Sequence, residues 1–170
     1  MTSTGDATAQ PGRPRGLLHL RAPWPDEEPE LTALCLRSKR LWPYDDAFMA
    51  RAAPALRVPL ERLGAAGIRV AERSGERAGV VGIEPGNAPG VFELALLFVE
   101  PRFARQGIGA ALLGWARDTA RARGGTVLEI LADPYACGFY VAQGARFVEW
   151  RPSDAIPGRM MPLLRLALSA

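Results

Sequence analysis

The stretch from Val91 to Ala132 constrains the fold most. An apolar run, Val91–Val99, passes through a turn containing Gly107 and Gly109 into an amphipathic segment, Ile108–Arg123, and returns to a second apolar run, Val127–Ala132. Strand, helix, strand in this order predicts two parallel neighbours joined by a right-handed crossover, since a tight hairpin cannot join parallel strands. Parallel strands need helices to cover them, so the segment excludes an all-helical bundle and a β-sandwich. Leu112, Trp115, Ala116 and Thr119 are expected on one helix face, and Gly124-Gly125 ends the helix.

Around this unit the pattern is regular. Leu17–Arg21 reads as a short strand, and Asp26 can cap a helix with Glu27, Glu28 and Glu30 at its start and Arg37, Lys39 and Arg40 at its end, as the helix dipole prefers. Leu31, Leu34, Cys35 and Ser38 share one face of that helix. Pro54 and Pro59 break the helical stretch Asp45–Leu63 into two short helices. Ile68–Glu72 and Ala78–Glu84 flank Ser74-Gly75-Glu76 as a hairpin, while Ala136–Gln143 reads as a helix and Arg146–Trp150 and Met160–Leu168 as strands. The order β α α β β β α β α β β predicts a mixed α/β (α+β) fold, and 170 residues suit one domain. Residues 1–16, rich in Gly, Pro, Thr and Ser, read as a disordered tail, and 17–170 as the domain.

Charge narrows the class of partner. The net charge is +3, with 21 basic and 18 acidic residues, and Lys39 is the only lysine. The excess is local: Arg102, Arg105, Arg117, Arg121 and Arg123 face only Asp118 within residues 101–125, beside the glycine turn. No basic helix face interleaved with aromatics supports a nucleic-acid partner. Cys35, Cys137 and His19 stand in no metal or redox spacing, so no metal site is expected and both thiols read as small core-facing groups. The N-terminal residues lack the apolar core of a secretory signal, and no apolar run reaches the roughly 18 residues of a membrane span, so the expectation is a cytoplasmic protein with no membrane partner.

The glycine turn is suited to an anion. Gly107 and Gly109 clear side chains from backbone N–H groups at a helix N-terminus, where the dipole favours negative charge. A P-loop is excluded because no lysine is near. A Rossmann fingerprint is disfavoured because Leu112 holds the third glycine position and seven residues separate Val99 from Gly107. Glycines serving helix packing alone remain the other reading of the turn.

Val99-x-Pro101 followed by Arg105-Gln106-Gly107-Ile108-Gly109-Ala110-Ala111-Leu112-Leu113 resembles the acyl-CoA motif of the GNAT family of N-acetyltransferases. Asp133-Pro134-x-Ala136-x-x-Phe139-Tyr140-x-x-x-Gly144-Ala145 resembles that family's second motif. Ser38-Lys39-Arg40-Leu41-Trp42-Pro43-Tyr44 and Ile156-Pro157-Gly158-Arg159 are similar to segments of one poorly characterised branch. The resemblance implies a twisted mixed sheet of about six to seven strands with about four helices, splayed at the CoA site, and acetyl-CoA as cosubstrate. It implies that the main chain of Phe98 and Val99 pairs with the pantetheine arm, and that the amides from Arg105 through Gln106, Gly107, Ile108 and Gly109 to Ala110 hold the pyrophosphate. Ala104 departs from the Gln or Arg common at its position, which shifts that contact toward Arg105.

The activity implied is acetyl transfer to an amine of a small molecule or peptide by direct attack, with Tyr140 protonating the departing thiolate; a core aromatic beside Phe139 is its other reading. Where the branch carries Glu and His, this chain has Ala95 and Leu96. Strict alternation would put Glu93, Ala95, Leu97 and Val99 on one face of their strand, leaving Glu93 as either a general base acting through water or a solvated strand-start acid. The missing polar residues also favour a second function, a catalytically degenerate acyl-CoA-binding sensor or scaffold. Lys39, Trp42, Tyr44 and Arg159 are the substrate-binding candidates, with Lys39 or Arg159 as a clamp for a carboxylate. Against this, a solvent-facing lysine at a helix end, a turn arginine and partly buried packing aromatics are the more ordinary readings of these residues. An exposed last strand offers an edge for homodimer pairing.

Overall fold

A computed structural model describes residues 16–168; the expected tail, apart from Gly16, lies outside the described residues. The elements are β1 (Leu18–Arg21), α1 (Glu28–Lys39), α2 (Asp46–Ala52), α3 (Leu60–Gly67), β2 (Ile68–Arg73), β3 (Glu76–Pro85), β4 (Val91–Val99), α4 (Ile108–Ala122), β5 (Val127–Leu131), α5 (Cys137–Ala142), β6 (Arg146–Pro152) and β7 (Met160–Ala167). Seven strands form one sheet in the order β1-β2-β3-β4-β5-β7-β6. Among the described residues only β4 and β5 pair in parallel, as the crossover through α4 requires.

The two sheet faces carry separate cores. On one, Ile108, Leu112, Leu113, Ala116 and Ala120 of α4 pack with Val81, Ile83, Leu128, Ile130 and Leu164. The buried stripe of α4 is therefore rotated from the expected one: Trp115 and Thr119 are only partly buried, and the Arg69 guanidinium lies 5.1 Å from the Trp115 ring centre. Full burial of a side chain such as Leu112 is worth about 2 kcal/mol. On the other face Leu31, Leu34 and Cys35 of α1 pack with Ile68, Val70, Val80 and Leu96. Burial pushes the Cys35 thiol up to about 12, consistent with an inert core residue.

Three expectations are corrected. Asp26 does not cap α1: Glu27 occupies the N-cap position with helical φ and ψ and makes no side-chain cap. The Glu27 carboxylate is instead buried, accepting from Arg21 at 2.7 and 2.9 Å, from the Trp24 amide at 2.9 Å and from Arg77. Alternation along β4 also fails. The register with β3 steps from Gly82↔Leu96 to Ile83↔Leu94, leaving Ala95 as the extra residue of a bulge. Phe92, Leu94, Leu97 and Val99 consequently face α4, while Leu96 and Phe98 face α1. Finally, the last strand is not an edge: β7 lies between β5 and β6 with Leu163, Leu164 and Leu166 buried, and β6 forms the margin with Phe147, Val148 and Trp150 exposed.

The site is opened by an interruption of the sheet. β4 and β5 pair only from Val91↔Val127 to Glu93↔Glu129. Beyond that point β4 stays with β3 as far as Val99, and β5 stays with β7 as far as Leu131↔Leu163, so the two strands splay.

Candidate active site

A groove of about 1000 Å³ fills the gap between β4 and β5. One wall is the β4 segment Leu94–Val99, whose backbone is half used. The Glu100 amide donates to the Ala78 carbonyl at 2.9 Å, and alternation from that bond turns the main-chain groups of Phe98 toward β3 and those of Leu97 and Val99 toward the gap. Of the pair expected to bind an extended arm, Val99 therefore offers its backbone to the groove and Phe98 does not. Leu97, not singled out in the sequence, takes that place.

At the end of β4 the chain passes through a short 3₁₀ turn, Pro101–Phe103, before α4. Arg105 (φ 62°) and Gly107 (φ 81°) are both left-handed, a conformation that costs Arg105 about 1 kcal/mol and Gly107 nothing. The result is six consecutive backbone amides, Arg105 through Ala110, with no acceptor among the described residues. Free amides converging at the N-terminus of a 15-residue helix make an anion cradle. The Gln106 side chain is outside the groove lining. It accepts from Arg73 at 2.8 Å and donates to the Arg102 carbonyl at 3.2 Å, bracing the turn. Local charge contributes less than the sequence suggested. Arg105 is the one arginine of residues 101–125 in the lining, whereas Arg102 pairs with Glu76 and Arg121 with Asp118.

Tyr140 lines the groove from α5, is only 6 % exposed, and packs edge-on to Phe139 at 5.0 Å. Its hydroxyl has no hydrogen-bond partner among the described residues, and burial, reinforced by the Asp133 charge, raises its pKa, keeping the phenol protonated. Glu93 is absent from the lining. It lies at the last paired rung, opposite Glu129, which is itself paired with Arg165 at 2.7 Å. The bulge at Ala95 puts Glu93 on the same face as Leu96 and Phe98, at the last rung before the splay, so a base role for this carboxylate has to be exercised through water, as the sequence reading had it.

The four substrate-binding candidates come together, around a residue to which the sequence assigned no role. Asp133, just beyond β5, accepts from Lys39 Nζ, from Tyr44 Oη at 3.0 Å, from Arg159 Nη2 at 3.0 Å and from the Tyr135 amide at 2.9 Å. Arg159 Nη2 also donates to Tyr44 Oη at 2.7 Å. Trp42 stacks on Tyr135 at 5.6 Å beside this cluster. Lys39 is 7 % exposed, not the solvent-facing lysine of the plainer reading. Burial lowers its pKa against the opposing pull of Asp133. Asp133 is held below its ordinary range because its donors outweigh its burial. An acid directly before a proline at a strand end was the available signal for Asp133, but its partners are 94 and 26 positions away.

Among the described residues no cluster of His, Cys, Asp or Glu suits a metal ion, and no helix is long and apolar enough to cross a membrane.

The sequence profile described as the acetyltransferase (GNAT) family matches residues 20–145. No curated protein sequence is significantly similar to the chain. Among solved structures, a GNAT-family protein from Desulfovibrio desulfuricans superposes with a TM-score of 0.70 at 18% identity, covering 90% of this chain and 100% of the other. A GCN5-related N-acetyltransferase from Rhodopseudomonas palustris gives 0.74 at 17% identity, covering 91% and 98%. A GNAT-family acetyltransferase from Brucella melitensis, in complex with acetyl-CoA, gives 0.62 at 20% identity, covering 91% and 90%.

Proposed function

Because the chain belongs to the GNAT family of acetyltransferases, we propose that it transfers an acetyl group from acetyl-CoA to the amine of a small molecule or peptide by direct attack. The observation that carries this reading is the continuity of the β4–β5 gap with the six free amides of Arg105–Ala110. An extended pantetheine arm suits the open backbone of Leu97 and Val99, and a pyrophosphate suits the cradle, with Arg105 adding a charge-assisted contact. The Brucella structure with acetyl-CoA supports the choice of cosubstrate.

The chemistry asked of the protein is modest. The amine lone pair forms the C–N bond, the C–S electron pair leaves on sulfur, and the Tyr140 hydroxyl gives that sulfur its proton. The amine loses its own proton to water, and water returns one to the Tyr140 phenolate. With Glu93 outside the groove lining and able to act only through water, the amine arrives neutral, so kcat/KM rises with pH up to the pKa of the acceptor and follows that value when the acceptor is changed. Among the described residues Cys137 makes no hydrogen bond to His19, the one histidine of the chain, which supports direct attack over an acyl-enzyme.

The apolar wall Leu94–Leu97 and the position of Glu93 favour a second reading, an acyl-CoA-binding module without turnover. Calorimetry with CoA and CoA release from acetyl-CoA across a broad amine panel separate the two. Binding with turnover supports the transferase, binding without turnover supports the module, and no binding sinks both.

A further inference from the structure

The cluster around Asp133 holds more positive charge than it uses. Two cations, Lys39 and Arg159, meet one carboxylate, and the other donors to it, Tyr44 and the Tyr135 amide, are neutral. The rings of Tyr44 and Phe48 lie 5.1 and 5.8 Å from Lys39 Nζ and 5.2 and 4.8 Å from the Arg159 guanidinium carbon. They ease the burial of both cations without cancelling charge. Arg159 spends only Nη2, on Tyr44 and Asp133. Its Nε and Nη1 donors have no side-chain acceptor among the described residues, although the side chain is 14 % exposed and lines the groove. Asp154, on the same β6–β7 loop, also lines the groove, but it is solvent-exposed and pairs with neither Lys39 nor Arg159 among the described residues, so the two cations keep their surplus over Asp133. A surplus unit charge in a mostly apolar cleft, with its donors already oriented, is an unfilled anion receptor. Its residues come from α1, the α1–α2 connection, the end of β5 and the β6–β7 loop, none of which contributes an amide to the Arg105–Ala110 cradle.

We propose that the acceptor amine carries a carboxylate, which docks on the free Nε and Nη1 donors of Arg159, so that the acceptor class is amino acids and related amino-carboxylic acids. This rests on the acetyltransferase reading. A single carboxylate matches the single surplus charge, whereas a phosphate monoester would overfill it. Trp42, Tyr135 and Ile156 give the rest of the acceptor an apolar surface. Asp133 and Tyr44 act as positioning residues that hold the guanidinium.

The test uses the full chain with acetyl-CoA and the standard L-amino acids, each offered as the free acid, as its carboxamide and as the decarboxylated amine. At least one acid is expected to exceed its amide in kcat/KM by about tenfold to a hundredfold, the range of one charge-assisted hydrogen bond. Arg159→Gln should bring that ratio close to one, Arg159→Lys should keep part of it, and neither should change the Kd of CoA measured by calorimetry. Titration of the same acids into CoA-loaded protein provides a readout independent of turnover. Amides that match their acids, or a ratio that survives Arg159→Gln, overturn the proposal and leave acetyl transfer standing. If no acid is turned over and none binds the CoA-loaded protein, the proposal also falls. Acids that bind in an Arg159-dependent manner without CoA release retain the carboxylate site and remove the transferase reading.

Discussion

Tyr140 is the residue at which the proposed chemistry separates from folding. Its ring is buried but its hydroxyl makes no hydrogen bond among the described residues. Tyr140→Phe should therefore lower kcat by about 10²-fold or more, the usual worth of a general acid, while the urea midpoint stays nearly fixed. An equal loss of stability and activity would return Tyr140 to the role of a packing aromatic. Glu27 has the opposite character, structural and remote from the groove. Burial alone would raise its pKa, but Arg21, the Trp24 amide and Arg77 together lower it from 4.5 to about 2. A depressed carboxylate contributes stability above its unfolded pKa and loses it as pH falls through the folded one. Glu27→Gln should cost about 3 kcal/mol near neutral pH, the scale of breaking a buried ion pair. In urea unfolding, the gap from the parent chain should narrow as pH drops from 4.5 toward 2. A gap that stays constant over that window would show that the charge of Glu27 is not what stabilises α1. The sequence marked Glu27 only as one of several acids in a first turn, because the arginine that clamps it from β3, Arg77, lies 50 positions away.

Among the elements, the turn into α4 was legible in advance and the detail of β4 was not. Gly107, at φ 81°, has open space where a Cβ would sit, so Gly107→Ala meets strain and no clash. The expected cost is about 1 kcal/mol. Because that strain falls on the cradle, CoA affinity by calorimetry should drop severalfold with kcat little changed, and unaltered affinity would remove the turn from the binding site. Gly107 could be read from sequence because its left-handed φ is a local requirement, whereas Gly109 is required by the Phe139 ring of α5, which would lie 3.2 Å from a Cβ there. The bulge at Ala95 could not be read from sequence, since it is a mismatch of register between two strands and neither strand encodes it alone. One extra residue reversed the facing of Leu94 relative to Leu97 and made the alternation argument for Glu93 fail. Proline breaks behaved as local rules do: the Asp45–Leu63 stretch divides into α2, a 3₁₀ turn at Ala53–Leu56, and α3.

At the scale of the whole molecule, many of the described arginines are already neutralised by carboxylates, as in Arg21–Glu27, Arg57–Glu28, Arg62–Glu84 and Arg151–Glu149. A gel-shift assay at low salt with duplex DNA should accordingly show no complex, and a salt-sensitive shift would reopen a nucleic-acid partner. The arginine run beside the glycine turn looked in sequence like a charge reserve for the cofactor, but the rise of α4 carries Arg117 and Arg121 away from its N-terminus, Arg123 lies past its end, and only Arg105 of the run reaches the groove. The sheet margin was likewise assigned to the wrong strand, because sequence order does not say that β7 inserts between β5 and β6. What the sequence determined by itself was whatever depends on neighbours a few positions apart: the element order, the parallel β4–α4–β5 unit, the glycine cradle and the family motifs. Only the tertiary structure decided which backbone groups of β4 remain unpaired, where Glu93 stands, and that Lys39, Tyr44 and Arg159 converge on Asp133. Those outcomes depend on strand register and on contacts between segments 26 to 94 residues apart, and they are settled when the sheet closes over its two cores.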